Sequence, residues 1–261
     1  MHREMLFRAL FLPTLALLAC CTPPSPRSRS SMPRGATYFV DGPQPVAIPP
    51  AVTKLEPHRV IQLAAAHNLV DVSKAVPGIS IDLRYATAEN VARRPLYSPR
   101  MPCLLRRETA QKLRVAHESL RAEGYGIRVW DAYRPPEVQE ALAEAGEATD
   151  LFVSPEIGWS RHCAGVAVDV TLVDAQGQPQ AMPTAFDTDS PLARADYCGP
   201  DPQIAQNVRR LHAAMRAAGF KPASSEWWHF DDAAFIHHPQ PVLTSRQLGL
   251  PPLNPKTSAT P

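Results

Sequence analysis

A chain of 261 residues can bury one sizeable core or two small ones. Its formal net charge of +2, with 20% charged residues, sets up no strong field toward nucleic acid or an anionic membrane. No cluster of Lys and Arg reads as a nucleic-acid footprint either. Proline is the compositional outlier, at 29 residues against 12 glycines. Much of it lies toward the two ends, which indicates extended tails more than an unusual core.

The first segment has the character of a targeting signal. Arg3 and Arg8 give it a positive start, and the apolar run over residues 6–19 is shorter than the roughly 20 residues a membrane helix needs. It ends Leu17-Leu18-Ala19-Cys20, a pattern that resembles a bacterial lipobox. Cleavage before Cys20 would leave its thiol as the site of lipidation. An ordinary secretory signal with a cysteine at its end is the alternative. Residues 1–19 are therefore expected to be a lipoprotein signal peptide and residues 20–57, rich in Pro, Ser and Arg, a tether. The folded body is expected over residues 58–245, and residues 246–261 as a loose tail. Export permits disulfides, but pairing among Cys103, Cys163 and Cys198 is not readable from spacing. No Cys-x-x-Cys pair supports a thiolate zinc knuckle.

Within the body, residues 79–85 alternate apolar and polar side chains, as a half-buried strand does. Ala110, Leu113, Ala116 and Leu120 recur at helical spacing over residues 108–122, and Gly124 closes that helix. Residues 127–131 form a short apolar strand, broken by Arg134-Pro135-Pro136. A helix opening on Pro136 runs to Gly146. Residues 166–172 alternate again. A second amphipathic helix, over residues 202–218, carries Ile204, Val208, Leu211 and Met215 on one stripe and stops at Gly219. Residues 227–231 are the last core strand. Strands and helices do not alternate regularly, so the expected class is α+β, a single domain with a largely antiparallel sheet flanked by helices.

Three segments carry chemistry-bearing residues. In Ser160-Arg161-His162-Cys163-Ala164-Gly165 and the strand after it, Ala167, Asp169 and Thr171 share one face. A buried Asp in an apolar strand needs a partner, and Gly165 allows a turn tight enough to bring His162 to it. An exposed Asp with a surface His is the alternative. In Glu226-Trp227-Trp228-His229, two tryptophans separate an acid from a histidine in a water-poor setting. A catalytic zinc site takes three His or carboxylate ligands and leaves one position open, while an outer carboxylate handles the proton. Glu226 and His229 are three apart, so a flat strand would aim them to opposite faces, and a bulge or turn must intervene. A core aromatic cluster flanked by a surface Glu is the competing reading. In Trp130-Asp131-Ala132-Tyr133-Arg134-Pro135, Arg134 could hold a carboxylate or an oxyanion, or simply pair with Asp131.

Taken together and in this order, these segments resemble the D-alanyl-D-alanine dipeptidase (VanX-type) family of zinc peptidases. The pattern is Ser160, His162, Asp169, Glu226 and His229, reinforced by the Glu-Trp-Trp-His and Trp-Asp-Ala-Tyr-Arg-Pro stretches and by Asp82-Leu83-Arg84-Tyr85 through Asn90. The resemblance spans roughly residues 70–235. It implies one Zn²⁺ per chain, with His162, Asp169 and His229 as ligands, Glu226 as the base that activates water, and Arg134 as the oxyanion partner. Tyr85, Ser160 and Asp187 match positions near the charged ends of the substrate. The implied substrate is D-Ala-D-Ala or a related small peptide. The implied setting is the periplasm or cell envelope, with membrane contact only through a lipid at Cys20. Two departures stand out: Cys163 follows the first ligand where serine is expected, and Pro183-Thr184 precedes Phe186-Asp187 where glycine is usual. A zinc D,D-carboxypeptidase trimming peptidoglycan stems, and a non-catalytic peptidoglycan-binding lipoprotein, are the alternatives. Oligomeric state is not legible.

Overall fold

A computed structural model describes residues 54–98, 100–147, 149 and 151–251, with the backbone of Tyr38–Phe39. The expected signal peptide, Cys20 and most of the tether lie outside the described residues. In chain order the elements are β1 (Tyr38–Phe39), α1 (Pro57–Ala66), β2 (Leu69–Asp71), α2 (Val72–Ala75), β3 (Ser80–Ile81), β4 (Leu104–Arg106), α3 (Arg107–Ala122) and β5 (Tyr125–Asp131). There follow α4 (Pro136–Ala145), β6 (Trp159–Ser160), β7 (Ala167–Asp174), α5 (Pro202–Ala217), β8 (Phe220–Pro222) and β9 (His229–Asp232). A five-stranded sheet in the order β3-β5-β7-β9-β8 is the centre of the molecule. Its β3–β5 pairing is parallel and the rest are antiparallel. The fold is thus α+β with a largely antiparallel sheet, as the irregular order of elements implies.

The two long helices form where the apolar period puts them. Ala110, Leu113, Ala116 and Leu120 of α3 are fully buried, as are Leu211 and Met215 of α5. Pro202 opens α5, and Asp201 caps it by accepting from the backbone N–H groups of Gln203 and Ile204. The apolar face of β7, with Val168, Val170 and Leu172, joins these helices in one core cluster. Alternation then aims Ala167, Asp169 and Thr171 the other way.

Three expectations need correction. The strand over 79–85 is only Ser80–Ile81. The chain then winds into a short 3₁₀ turn, Arg84–Ala86, whose Tyr85 is fully buried. The backbone N–H groups of Leu96 and Tyr97 both donate to Tyr85 O, so this segment is tied to a following loop instead of a neighbouring strand. The last strand begins at His229, not Trp227, because Trp227 N donates to Ala193 O and Trp227-Trp228 forms a turn. The packed body is also longer than residues 58–245. Leu55 is buried ahead of it, and Leu248 and Leu250 are buried after it. Gly249 lies against Leu63 of α1, where an added Cβ would come within 2.8 Å. Polarity set that boundary in the sequence, but packing against α1 sets it in the fold.

If residues 246–250 belong to the core, Leu248→Ala should destabilise the protein by about 2–5 kcal/mol. Denaturant unfolding followed by tryptophan fluorescence measures this. A midpoint indistinguishable from the parent would show that this segment does not pack.

Candidate active site

The site is built on the register of three strands. Asp169 of β7 stands opposite His229 of β9 and opposite Asp131 of β5. Residues directly opposite one another in a sheet leave it on the same face, so Asp131, Asp169 and His229 form one row. Asp131 reaches that row through a register shift between Val129 and Asp131. Without this bulge, Asp131 would share the face of buried Val129, and the extra residue Trp130 re-aims it.

His162 approaches from outside the sheet. Residues Arg161–Ala164 form a short 3₁₀ turn capped by Ser160, whose Oγ accepts from His162 N at 3.3 Å. Gly165 ends it at φ 71, in the left-handed region, and a Cβ there would meet Leu69 Cδ2 at 2.6 Å. The chain can therefore reverse at once into β7, which returns Asp169 to His162.

Three atoms converge. His162 Nε2 lies 3.1 Å from His229 Nδ1 and 3.3 Å from Asp169 Oδ1, and His229 Nδ1 lies 2.9 Å from that oxygen. All three residues are buried. Their outer nitrogens determine the tautomers. His162 Nδ1 lies 2.6 Å from Ala132 O, a carbonyl that can only accept, so Nδ1 carries the proton. His229 Nε2 lies 3.1 Å from Asp231 Oδ1 and donates to it. Each imidazole then presents a bare nitrogen inward, beside a carboxylate oxygen. Three lone pairs facing one another need a cation between them.

The donor set fits zinc. A tetrahedron with bonds near 2.0 Å has edges of about 3.3 Å, close to the observed triangle, and two His with one carboxylate is a usual catalytic zinc set. Where no metal neutralises the site, a proton must do so. Burial opposes the charge on His229, but hydrogen bonds to Asp169 and Asp231 hold its pKa up to about 10. Asp169 is held well below the ordinary carboxylate range by His162 and His229, against the cost of its burial.

Arg134 completes the row. Its Nε donates to Asp131 Oδ2 at 2.9 Å, one Nη to Gln139 Oε1 at 2.8 Å, and the other lies 3.4 Å from Asp169 Oδ2. The Asp131 pairing raised from the sequence therefore exists. It is buried, and the same guanidinium also reaches the metal-type cluster. Tyr97 OH donates to Asp131 Oδ1 at 2.5 Å. The Arg134 guanidinium carbon sits 4.9 Å from the Tyr85 ring centroid.

Tyr85 and Asp187 meet on this side of the site. Tyr85 OH donates to Asp187 Oδ1 at 3.2 Å, and Val91 N donates to Asp187 Oδ2 at 3.2 Å. Asp187 adopts φ 54, an unusual conformation for a residue other than glycine, and burial pushes its carboxyl up to about 7 against the pull of Arg134. The Trp227-Trp228 turn supplies the change of direction that Glu226 and His229 require. Glu226 keeps a partly exposed flank, while its enclosed carboxyl is pushed up to about 8 by burial, with His229 pulling it down. Among the described residues its side chain makes no hydrogen bond, so both oxygens are free to meet water or substrate. Cys163 is a buried free thiol, raised by burial well above its ordinary value and so kept protonated.

The structure thus brings His162, Asp169, His229, Arg134, Tyr85 and Asp187 to one place, with Glu226 within electrostatic reach of His229, Asp169 and Asp187. Ser160 is there as the cap of the His162 turn. Sequence reasoning passed over Asp231, Gln139 and Tyr97. Asp231 had a signal, because it is two residues from His229 on the same strand face. Gln139 and Tyr97 had none.

Residues 65–243 match the sequence profile of the family described as D-ala-D-ala dipeptidase. The chain belongs to that family. A D-alanyl-D-alanine dipeptidase of Escherichia coli (strain K12) is 32% identical over 164 residues, covering 63% of this chain and 84% of its own length. One from Enterococcus faecium is 30% identical over 178 residues, covering 61% and 88%. A solved LD-carboxypeptidase structure aligns with 69% of this chain and 76% of its own at 14% identity, with a TM-score of 0.38. The membership makes this chain a peptide-cleaving hydrolase with a small peptide as substrate.

Proposed function

We propose that this protein is a zinc D-alanyl-D-alanine dipeptidase of the bacterial cell envelope, with His162, Asp169 and His229 as metal ligands, Glu226 as general base and Arg134 as oxyanion donor. The observation that carries this reading is the inward triangle of two imidazole nitrogens and a carboxylate oxygen. Zinc, when bound there, would polarise the peptide carbonyl and lower the pKa of water toward about 7. Glu226, whose side chain makes no hydrogen bond among the described residues, is in its base form once its carboxyl, pushed up to about 8 by burial, has ionised; it then takes the proton from the attacking water and passes it to the leaving amine. Arg134 is held rigidly by Asp131 and Gln139, so it aims an N–H at the carbonyl oxygen as negative charge develops there, with little reorganisation. Asp187, paired with Tyr85, faces the same space and can hold the dipeptide's ammonium group. A longer peptide brings no free ammonium to that position and leaves the Asp187 charge without a counter-ion there, which favours a free dipeptide.

Purified protein should release alanine from D-Ala-D-Ala, lose activity to a chelator and regain it with zinc. Glu226→Gln should lower kcat by about 10²–10⁴-fold with metal content unchanged. If that variant keeps most of its activity, the base is misassigned. If a pentapeptide stem is cut as well as the dipeptide, the enzyme is a carboxypeptidase.

Asp187 provides a pH signature. Its carboxyl is neutral below about 7 and ionised above it. Only the ionised form pairs with an ammonium, so KM should fall as pH rises through that value. Asp187→Asn should raise KM and flatten its pH dependence while leaving the pH profile of kcat in place. A KM profile that Asp187→Asn does not alter would exclude this role.

The envelope location rests on Arg3, Arg8, the apolar run over residues 6–19 and Ala19-Cys20. Expressed in its full length, the protein should fractionate with membranes, and Cys20→Ser should release it to the soluble fraction. Full-length protein in the cytoplasm with its N-terminus intact would overturn the assignment.

A further inference from the structure

Asp231 lies two residues beyond His229 on β9, so both side chains leave the same face of the strand. Its Oδ1 accepts from His229 Nε2, and its Oδ2 accepts from Arg161 Nη1 at 3.1 Å. Both members of that ion pair are buried, with Asp231 at 4% and Arg161 at 8% exposure. A buried ion pair gives little net stability over apolar residues of the same shape, so packing does not account for its presence. Its contacts suggest another task. A carboxylate on Nε2 keeps the proton there and the Nδ1 lone pair inward, and its charge makes the imidazole a stronger donor. Arg161 directly precedes His162, so the same pair ties the turn that carries His162 to the strand that carries His229. The two segments it joins are the ones whose inward nitrogens stand 3.1 Å apart.

We infer that Asp231, clamped by Arg161, is a positioning residue for a divalent cation held at His162, Asp169 and His229. It sets the tautomer and donor strength of His229, and through Arg161 the spacing of the two histidines. This rests on the metal-centre reading above. The neighbouring Asp232 offers an internal control: it is also buried and paired with Lys112 and Thr109, but bonds to no histidine among the described residues.

The test uses full-length protein stripped of metal. Zinc affinity is measured by competition with a chromophoric chelator, ligand geometry by the visible spectrum of the cobalt(II)-loaded protein, and folding by the melting temperature of the metal-free form. Asp231→Ala should weaken zinc by about 10–100-fold and change the cobalt spectrum. Asp231→Asn keeps an accepting oxygen without the charge, and should lose about threefold or more. Asp232→Asn should lower the melting temperature and leave zinc affinity and the cobalt spectrum as in the parent. If Asp231→Ala does not fold, Asp231→Asn decides. The proposal is overturned if a folded Asp231 variant binds zinc within about twofold of the parent with the parent's cobalt spectrum. It is also overturned if Asp232→Asn loses as much zinc affinity as the Asp231 variants do. A parent protein whose zinc binding is indifferent to His162→Ala would instead remove the metal centre itself, and this inference with it.

Discussion

The register of β5, β7 and β9 is the constraint on which the rest of the site depends. It sets Asp131, Asp169 and His229 side by side on one face of the sheet. A shift by one residue in β7 would send Asp169 to the helix-facing side, where Val168 and Val170 pack, and would bury a charge in an apolar core. The correct register has a cost of its own, because it places two carboxylates next to each other. Arg134 bridges Asp131 and Asp169 and offsets that repulsion. Gln139 holds the guanidinium from the far side, and is itself anchored by donating to Val153 O at 3.1 Å. A guanidinium fixed in this way owes its position to the same carboxylates that shape the metal-type site.

The aromatic residues regulate the dielectric around this row. Trp130 packs on Phe186 and Trp227, and Phe186 on Tyr85 and Trp228, with centroid separations between 5.4 and 5.7 Å. Phe186 precedes Asp187, and Trp227 follows Glu226. The side chains that exclude water are thus neighbours in sequence of the two carboxyls whose pKa values rise. Burial raises Asp187 and Glu226, and hydrogen bonding with positive charge lowers Asp169. One enclosure therefore holds carboxyls of opposite proton affinity, which suits a base and a ligand.

Much of this was legible in the sequence, for identifiable reasons. Alternation over 166–172 placed Asp169 opposite the apolar valines, and Gly165 before it signalled the reversal that brings in His162. The stripes on α3 and α5 followed from a 3.6-residue period. Glu226 and His229 were not readable from spacing, since three residues on a flat strand point apart. Resemblance supplied them, and the Trp227-Trp228 turn explains the geometry. The bulge at Trp130 left no mark, because Val129-Trp130-Asp131 reads as an uninterrupted strand. The burial of Leu248 and Leu250 was masked by the polar and proline-rich residues around them. Residues 79–85 alternate like a strand, yet Tyr85 is fixed by hydrogen bonds from Leu96 and Tyr97, which no local pattern encodes.

The tautomers lead to a last consequence. With Nδ1 of His162 and Nε2 of His229 both committed outward, the inward triangle tolerates only a positive occupant, and a proton and a metal ion are the two candidates. The proton sits on His229, whose pKa is raised, so its stabilising effect is complete below the ordinary histidine value and is lost as pH climbs through about 10. Asp169, whose pKa is depressed, stabilises the fold above the ordinary carboxylate value and ceases to as the medium becomes strongly acid. Between those limits the metal-free fold is neutralised at its most crowded point. A metal must displace that proton to bind, so its affinity rises with pH.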